Sequence, residues 1–568
     1  MRPTPRRLPA FAVLIISFLA FAAPSFAAQA KPQAAPPAAP APSAPPAGPK
    51  TVAESTEYAA TSTYAEVMSF VRELQKLSPL IHVEWICTSA EGKPVPLLVI
   101  GKPAPLEPLA LRADKKIVVY IQANIHAGEV EGKEASLMLA RDILLDPKLP
   151  YLDKLVLLIA PIFNADGNDK MSPDNRRGQN GPEKAGVRHN GMNLDLNRDA
   201  MKLESPEMQG LVQNVLVRWD PILLVDCHTT DGSYHEEPVT YSWPLCPNGD
   251  PSIIKYMRDK MLPAVAATLD KTYRTLSVPY GDPRDFRDMT KGWQTFGHQP
   301  RYVTNYMGLR NRLSILDENY NYADFKTRVL GCYNLLKSIL DYCQTRPDEL
   351  TRLVAEADKN TVQRGLAPRE TDTFGLDIDV QALPEKVTVR GYEMEVTPRE
   401  GSPFPEIKRT DRKKTYVMPY FADFVAKRTV RRPYAYLVPL FDEEVLAKLR
   451  GHGLAVEKLT EPATLEVEAF RVKEVKAADR LYQGHRTNQV KGEYAIEKRE
   501  FPKGTLVVRM AQPLGNLAAY LLEPESDDGL LVWNVFDKHI ANQWGRGFQT
   551  YPVYKLYTPQ NLAADGID

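Results

Sequence analysis

Between about residues 60 and 345 the chain alternates amphipathic segments with near-continuous apolar runs. "STYAEVMSFVRELQKLS" carries its apolar residues at helical spacing and predicts an amphipathic helix. Extended segments follow at "IHVEWICTSA", "VPLLVIG", 117–121, "KLVLLIAPIF", "ILLVDC" and "LSIL". Helical patterns fall between them at "GKEASLMLARDIL", "SPEMQGLVQNVLVRW", "SIIKYMRDKMLPAVAATLDKTY" and "KTRVLGCYNLLKSILDYC". Strands that are apolar at every position fit a sheet covered on both faces. The expected fold class is therefore α/β, with a mixed, largely parallel sheet flanked by helices.

Beyond about residue 370 the pattern changes to period two, in "KVTVRGYEMEV", "TLEVEAFRVKEV", "GTLVVRM" and "GLLVWNVF". These predict half-exposed antiparallel strands. "YAYLVPLFDEEVLAKLRGHGLAVEKL" reads as strand–helix–strand, with Asp442 as helix cap and Gly451 as stop. Segments 51–345 and 371–568 are thus expected as an α/β domain and a β-rich α+β accessory domain. A connecting helix falls within 346–370, in "PDELTRLVAEADKNTVQRG".

The N-terminus reads differently. Arg2, Arg6 and Arg7 precede the apolar "FAVLIISFLAFAA" and the small-residue "PSFAAQA", the pattern of a secretory signal peptide over 1–28. Residues 29–50, rich in Pro and Ala, form a linker that cannot build a core. Export to the periplasm or medium is expected, with no membrane association after cleavage. Lys+Arg and Asp+Glu are both 71, so no basic excess points to nucleic acid. The five cysteines include no metal-type C-x-x-C, and Cys332 and Cys343 fall on one apolar helical stripe, as core residues do. No oligomeric state is named.

In open α/β sheets ligands bind at the carboxyl ends of strands. Here those ends lead to His126 and Glu129, to "NADG", to His228, and to Asp317-Glu318. His126, Glu129 and His228 make a His₂Glu set, three ligands with a fourth position open, as a hydrolytic zinc site requires. The spacing H-x-x-E alone is common by chance. His235-Glu236-Glu237 is a rival set, with a solvated loop as its plainer reading.

Further motifs occur in a consistent order: "TSAEGKPVPLLVIG", "PIFNADG", "GMNLDLNRD", "SPE" and "LDENYNYADFKTRVL". With them the chain resembles the zinc carboxypeptidases of the carboxypeptidase A type over roughly residues 58–345. The resemblance implies one zinc ion per chain, held by His126, Glu129 and His228, with Asp195 orienting the first histidine. It implies that Asn197 and Arg198 bind the terminal carboxylate of a peptide substrate, which a guanidinium fork suits. Glu318 is implied as general base; strand alternation sends Asp317 to the opposite face. Arg176 and Arg177 compete for the oxyanion role, and Tyr306, with Tyr302 as rival, for a substrate-capping tyrosine. The family's digestive members carry an Arg between His and Glu where this chain has Ala127-Gly128.

The expected activity is hydrolysis of C-terminal peptide bonds. A zinc amidase acting on cell-wall peptides or N-acyl amino acids is the runner-up. A catalytically relict binding protein is the alternative from another class.

Overall fold

The apolar runs of the first half assemble into one eight-stranded mixed sheet. The computed structural model describes residues 48–102, 108, 115–230, 233–398, 406–542 and 544–567. The expected signal peptide and the linker as far as residue 47 lie outside the described residues. The sheet contains β1 (Ile81–Thr88), β2 (Pro94–Ile100), β3 (Ile117–Ala123), β4 (Leu155–Ala160), β5 (Leu223–Thr230), β6 (Val239–Ser242) and β7 (Ser277–Pro279). Two short strands of a second sheet, β8 (Asp282–Pro283) and β9 (Trp293–Gln294), precede its last member, β10 (Leu313–Tyr320).

The spatial order is β1-β2-β4-β3-β5-β10-β6-β7. The central strands β4, β3, β5 and β10 are parallel, so their carboxyl ends share one edge. β3, β4 and β5 are buried along their whole length. Alternate residues divide between two cores. Val119, Ile121, Leu157 and Val225 face the helices Tyr64–Leu77, Glu131–Leu145, Leu262–Tyr273 and Phe325–Gln344. Tyr120, Leu158 and Leu224 face the other way.

That second core does not end with the α/β segment. It also takes in Tyr436, Val438, Leu446, Leu517, Leu530 and Phe536. After the helix Pro347–Leu366 the chain forms a long antiparallel ribbon, β11 (Thr373–Thr397) with β12 (Glu406–Arg431). A seven-stranded sheet follows, built from β13 (Ala435–Val438), β14 (Glu457–Leu459), β15 (Ala463–Ala477), β16 (Asn488–Phe501), β17 (Leu506–Arg509), β18 (Tyr554–Leu556) and β19 (Ala564–Gly566). The strand–helix–strand unit is present as β13, the helix Glu443–Gly451 and β14, and the Asp442 side chain accepts the Glu444 N–H.

One expectation fails. "GLLVWNVF" is a series of turns, not a strand. Leu530, Leu531, Val532, Trp533, Val535 and Phe536 are all buried, so consecutive side chains pack inward, which an alternating strand at a sheet surface cannot do.

His452, just past the helix Glu443–Gly451, joins the C-terminal region to the α/β segment. Its Nε2–H donates to Met201 O at 3.1 Å, and its Nδ1 accepts from the Tyr306 hydroxyl at 2.8 Å. Burial, with Arg310 and Lys448 nearby, lowers its pKa to about 3. A depressed histidine pKa gives stability that is complete above the unfolded value of about 6.5 and lost as pH falls toward the folded value. Denaturant titrations are therefore expected to show about 2 kcal/mol less contribution from this site at pH 5 than at pH 7.5. His452→Gln, uncharged at both values, should lack that component of the pH dependence.

Candidate metal centre

β3 ends in a turn that the sequence enforces. Asn124 adopts a left-handed backbone conformation, φ 64°, one that asparagine tolerates better than most residues. Its side-chain amide donates to Ala127 O and Glu129 O, both at 3.1 Å, and Glu129 N–H closes onto His126 O at 2.9 Å. This folds the His126–Glu129 segment so that both side chains face the same point. His228 arrives on β5, adjacent to β3 in the sheet.

The three side chains converge. His126 Nδ1 lies 3.0 Å from Glu129 Oε1, His228 Nδ1 lies 2.9 Å from Glu129 Oε2, and the two Nδ1 atoms are 3.2 Å apart. All three residues are buried. The far nitrogens are already committed: His126 Nε2 to Asp195 Oδ1 at 3.0 Å, His228 Nε2 to Asp226 Oδ2 at 2.9 Å. A ring that donates its Nε2–H to a carboxylate presents a lone pair at Nδ1. Two such lone pairs and a carboxylate, packed this closely, call for a shared cation. The charge balance expresses the same demand. Burial opposes charge on both His228 and Glu129. Asp226 nevertheless pushes the His228 pKa well above the histidine range, while His126 and Arg176 hold Glu129 well below the carboxylate range. Two imidazoles and one carboxylate are a donor set suited to zinc.

Asp226 is a partner that the strand reading passed over inside "ILLVDC". It stands two residues before His228 on the same face of β5, and Gln122 Nε2 donates to its other oxygen at 3.0 Å. Carboxylates of this kind fix the tautomer and basicity of a metal-binding histidine. Asp226→Asn is expected to weaken zinc binding about 10–100-fold with the fold intact. Competition against a chromophoric chelator reads this directly.

Parallel pairing of β5 with β10 sets Glu318 beside His228 and Asp317 beside Cys227. Glu318 is half-buried on the side of the metal centre. Asp317 is fully buried on the other side, in a cluster with Cys227 and Cys332, and burial pushes its carboxyl up to about 7.

The arginines separate clearly. Arg177 pairs with Asp174 at 2.8 Å and is more than half exposed. Arg176 bonds the Glu129 carboxylate. A third arginine, unremarked in the sequence, reaches the same place: Arg188 Nε donates to Asp195 Oδ2 at 2.9 Å and Nη1 to Glu129 Oε1 at 3.5 Å. Gly128 explains the missing arginine between His126 and Glu129. A Cβ at 128 would sit 2.8 Å from Arg176 Nε and 2.7 Å from Gly186 O, so Arg176 fills the space a side chain there would need.

Asn197 lies in the centre, its Oδ1 accepting Val303 N–H at 2.9 Å and its Nδ2 3.4 Å from His228 Nε2. The neighbouring Arg198 guanidinium lies over the Tyr302 ring, 4.4 Å from its centroid. Burial works against its charge, but Asp195 outweighs it and raises the pKa. Tyr306 does not reach the site. It is 1% exposed, with its hydroxyl on His452, and belongs to the core rather than to a mobile cap. His235 and Glu237 are buried apart from the centre; His235 packs against Tyr320, and Glu237 pairs with Arg390 at 3.1 Å.

Residues 67–209 match the family model described as zinc carboxypeptidase. Over that segment the chain is similar to the zinc carboxypeptidases. Its class is that of the metallopeptidase hydrolases. It is similar to carboxypeptidase 2 of Trichophyton equinum, 24% identical over 500 residues, covering 82% of this chain and 81% of that protein. Probable carboxypeptidase 2 of Arthroderma benhamiae is 25% identical over 476 residues, 78% and 80% of the two chains. A span of 82% is more than residues 1–345 could supply, so the likeness extends into the C-terminal region. Among solved structures, the metallo-carboxypeptidase of Burkholderia cenocepacia is 18% identical with a TM-score of 0.36, covering 50% of this chain and 70% of that one. The metallo-carboxypeptidase of Pseudomonas aeruginosa, in complex with (2-guanidinoethylmercapto)succinic acid, is 16% identical with a TM-score of 0.37, over 51% and 70%. Among the described residues, no helix is long and apolar enough to cross a membrane.

Proposed function

We propose that this protein is an exported metallocarboxypeptidase that binds one zinc ion through His126, Glu129 and His228 and removes C-terminal residues from peptides. The observation that carries this reading is the meeting of two imidazole Nδ1 atoms and a carboxylate within 3.2 Å of one another. When bound, zinc supplies electrophilic polarisation of the scissile carbonyl and acidifies the attacking water.

The chain's own groups supply the rest. Glu318 takes the proton of the attacking water and returns it to the departing amine. Arg188, with Arg176 behind it, donates hydrogen bonds to the oxygen on which negative charge develops. Arg198 pairs with the terminal carboxylate, and Asn197 offers a side-chain N–H beside it. Tyr302, stacked on Arg198, is the aromatic residue best placed to border the bound end of the peptide.

The test is a peptide-library digest by the zinc-loaded protein, read by mass spectrometry. Ladders shortened one residue at a time from the C-terminus, abolished by a chelator and restored by zinc, support the reading. Intact peptides alongside cleaved peptidoglycan fragments or N-acyl amino acids replace it with the amidase.

A further inference from the structure

The loop that carries Asp195, Asn197 and Arg198 is held from outside the α/β segment. Its first backbone donor, Asp195 N–H, gives its hydrogen bond to the side-chain Oε1 of Gln483 at 2.8 Å. Gln483 stands 288 residues later, on the turn between β15 and β16. Within that turn Tyr482 and His485 exchange both backbone hydrogen bonds, at 2.8 and 3.0 Å. The two residues between them, Gln483 and Gly484, have φ of +51° and +82°. This is the two-residue hairpin turn with both central residues left-handed. Glycine suits its second position. Glutamine in the first is an unusual choice, since asparagine or aspartate is preferred there and a longer side chain accepts left-handed φ at a cost of about 1 kcal/mol.

The contacts on either side hold the strained residue in place. His485 Nε2 donates to Glu204 Oε1 at 2.7 Å, and its other nitrogen meets Asn534 Oδ1 at 3.0 Å. The Tyr482 ring stacks on Trp533, and the Arg301 guanidinium lies over both rings, 5.5 and 5.1 Å from their centroids. Arg301 is in turn bound by Asp528, next to the Tyr302 that carries Arg198. The tip is therefore fixed on both flanks, and the extra methylene of glutamine delivers an acceptor to a single N–H.

We propose that Gln483 is a positioning residue of the metal centre, contributed by the C-terminal region. By accepting Asp195 N–H it sets the carboxylate that orients His126, and with it the Asn197–Arg198 pair one turn later. This deepens the carboxypeptidase reading and rests on it for the substrate-carboxylate half of its consequences. The other half, metal affinity, stands without it.

The discriminating variant is Gln483→Asn. Asparagine accepts the left-handed backbone more readily than glutamine, so the turn is kept while the amide loses its reach. Gln483→Ala is its companion. The expected result for Gln483→Asn is an unchanged melting temperature, a zinc Kd raised about three- to tenfold, and KM for free-carboxylate peptides raised about tenfold. kcat should stay within about threefold, because Glu318, the proposed base, is untouched. A role confined to stability would lower the melting temperature and leave zinc Kd and KM alone. That result, or wild-type values throughout, overturns the proposal. If the wild-type protein cleaves no peptide, the carboxypeptidase reading has failed by itself. Zinc competition on the same two proteins then decides the role of Gln483.

Discussion

Glu318→Gln is expected to lower kcat by about 10²–10⁴-fold with zinc content and KM close to wild type. Glutamine keeps the shape and the hydrogen-bonding reach of the side chain but cannot take up a proton. The register of β10 on β5 is what singles this residue out, since it puts Glu318 level with His228 and on the same side of the sheet. Asp317→Asn is the matched control. Asp317 stands one residue away among Cys227 and Cys332, with the sheet between it and the substrate, and its loss should leave kcat within severalfold. Stopped assays on a blocked dipeptide, with metal content measured on the same samples, read both. Full activity in Glu318→Gln would remove the proposed base.

The second large effect concerns the arginines. Arg188→Ala is expected to reduce kcat about 10²–10³-fold, the range seen when a donor to a developing oxyanion is deleted. Its side chain is 35% exposed, whereas the Arg176 side chain is 16% exposed and pinned across Gly128 onto Glu129. Arg176→Ala should therefore show its main effect in metal retention, because it strips a countercharge from a buried ligand. Arg177→Ala, with a solvent-exposed ion pair to Asp174, should behave as wild type. Equal losses in Arg177→Ala and Arg188→Ala would contradict this assignment.

Much of the centre could be read from residue order because strand ends are local. An apolar run followed by a polar pair places a side chain at the edge of a parallel sheet wherever that sheet lies. His126, Glu129, His228 and the Asp317-Glu318 pair all stand at strand ends; alternation lets only one of that pair face the centre, and the family resemblance, not the alternation, favours Glu318. The same rule, applied two residues back from His228, would have found Asp226. Arg188 had no such marker. It stands in a loop where any of several cations could turn inward, and only the folded path selects one. Tyr306 illustrates the opposite error: a tyrosine at about the right distance along the chain is buried on His452, because the helix Val303–Leu309 turns that face toward the C-terminal region. Gln483 was beyond reach for a further reason. No pattern within "YQGHRT" refers to an N–H nearly three hundred positions earlier.

The second core, shared between Tyr120 and Leu224 on one side and Tyr436, Leu517 and Phe536 on the other, also governs when the molecule can be completed. A ribosome adds about 5–20 residues per second, so one face of the finished sheet waits on the order of tens of seconds for the side chains that cover it. Shortening the chain after the helix Pro347–Leu366 would make that wait permanent. Such a fragment would keep every residue assigned to zinc and still be expected to aggregate on expression, because its exposed apolar face is the one the missing half was made to meet.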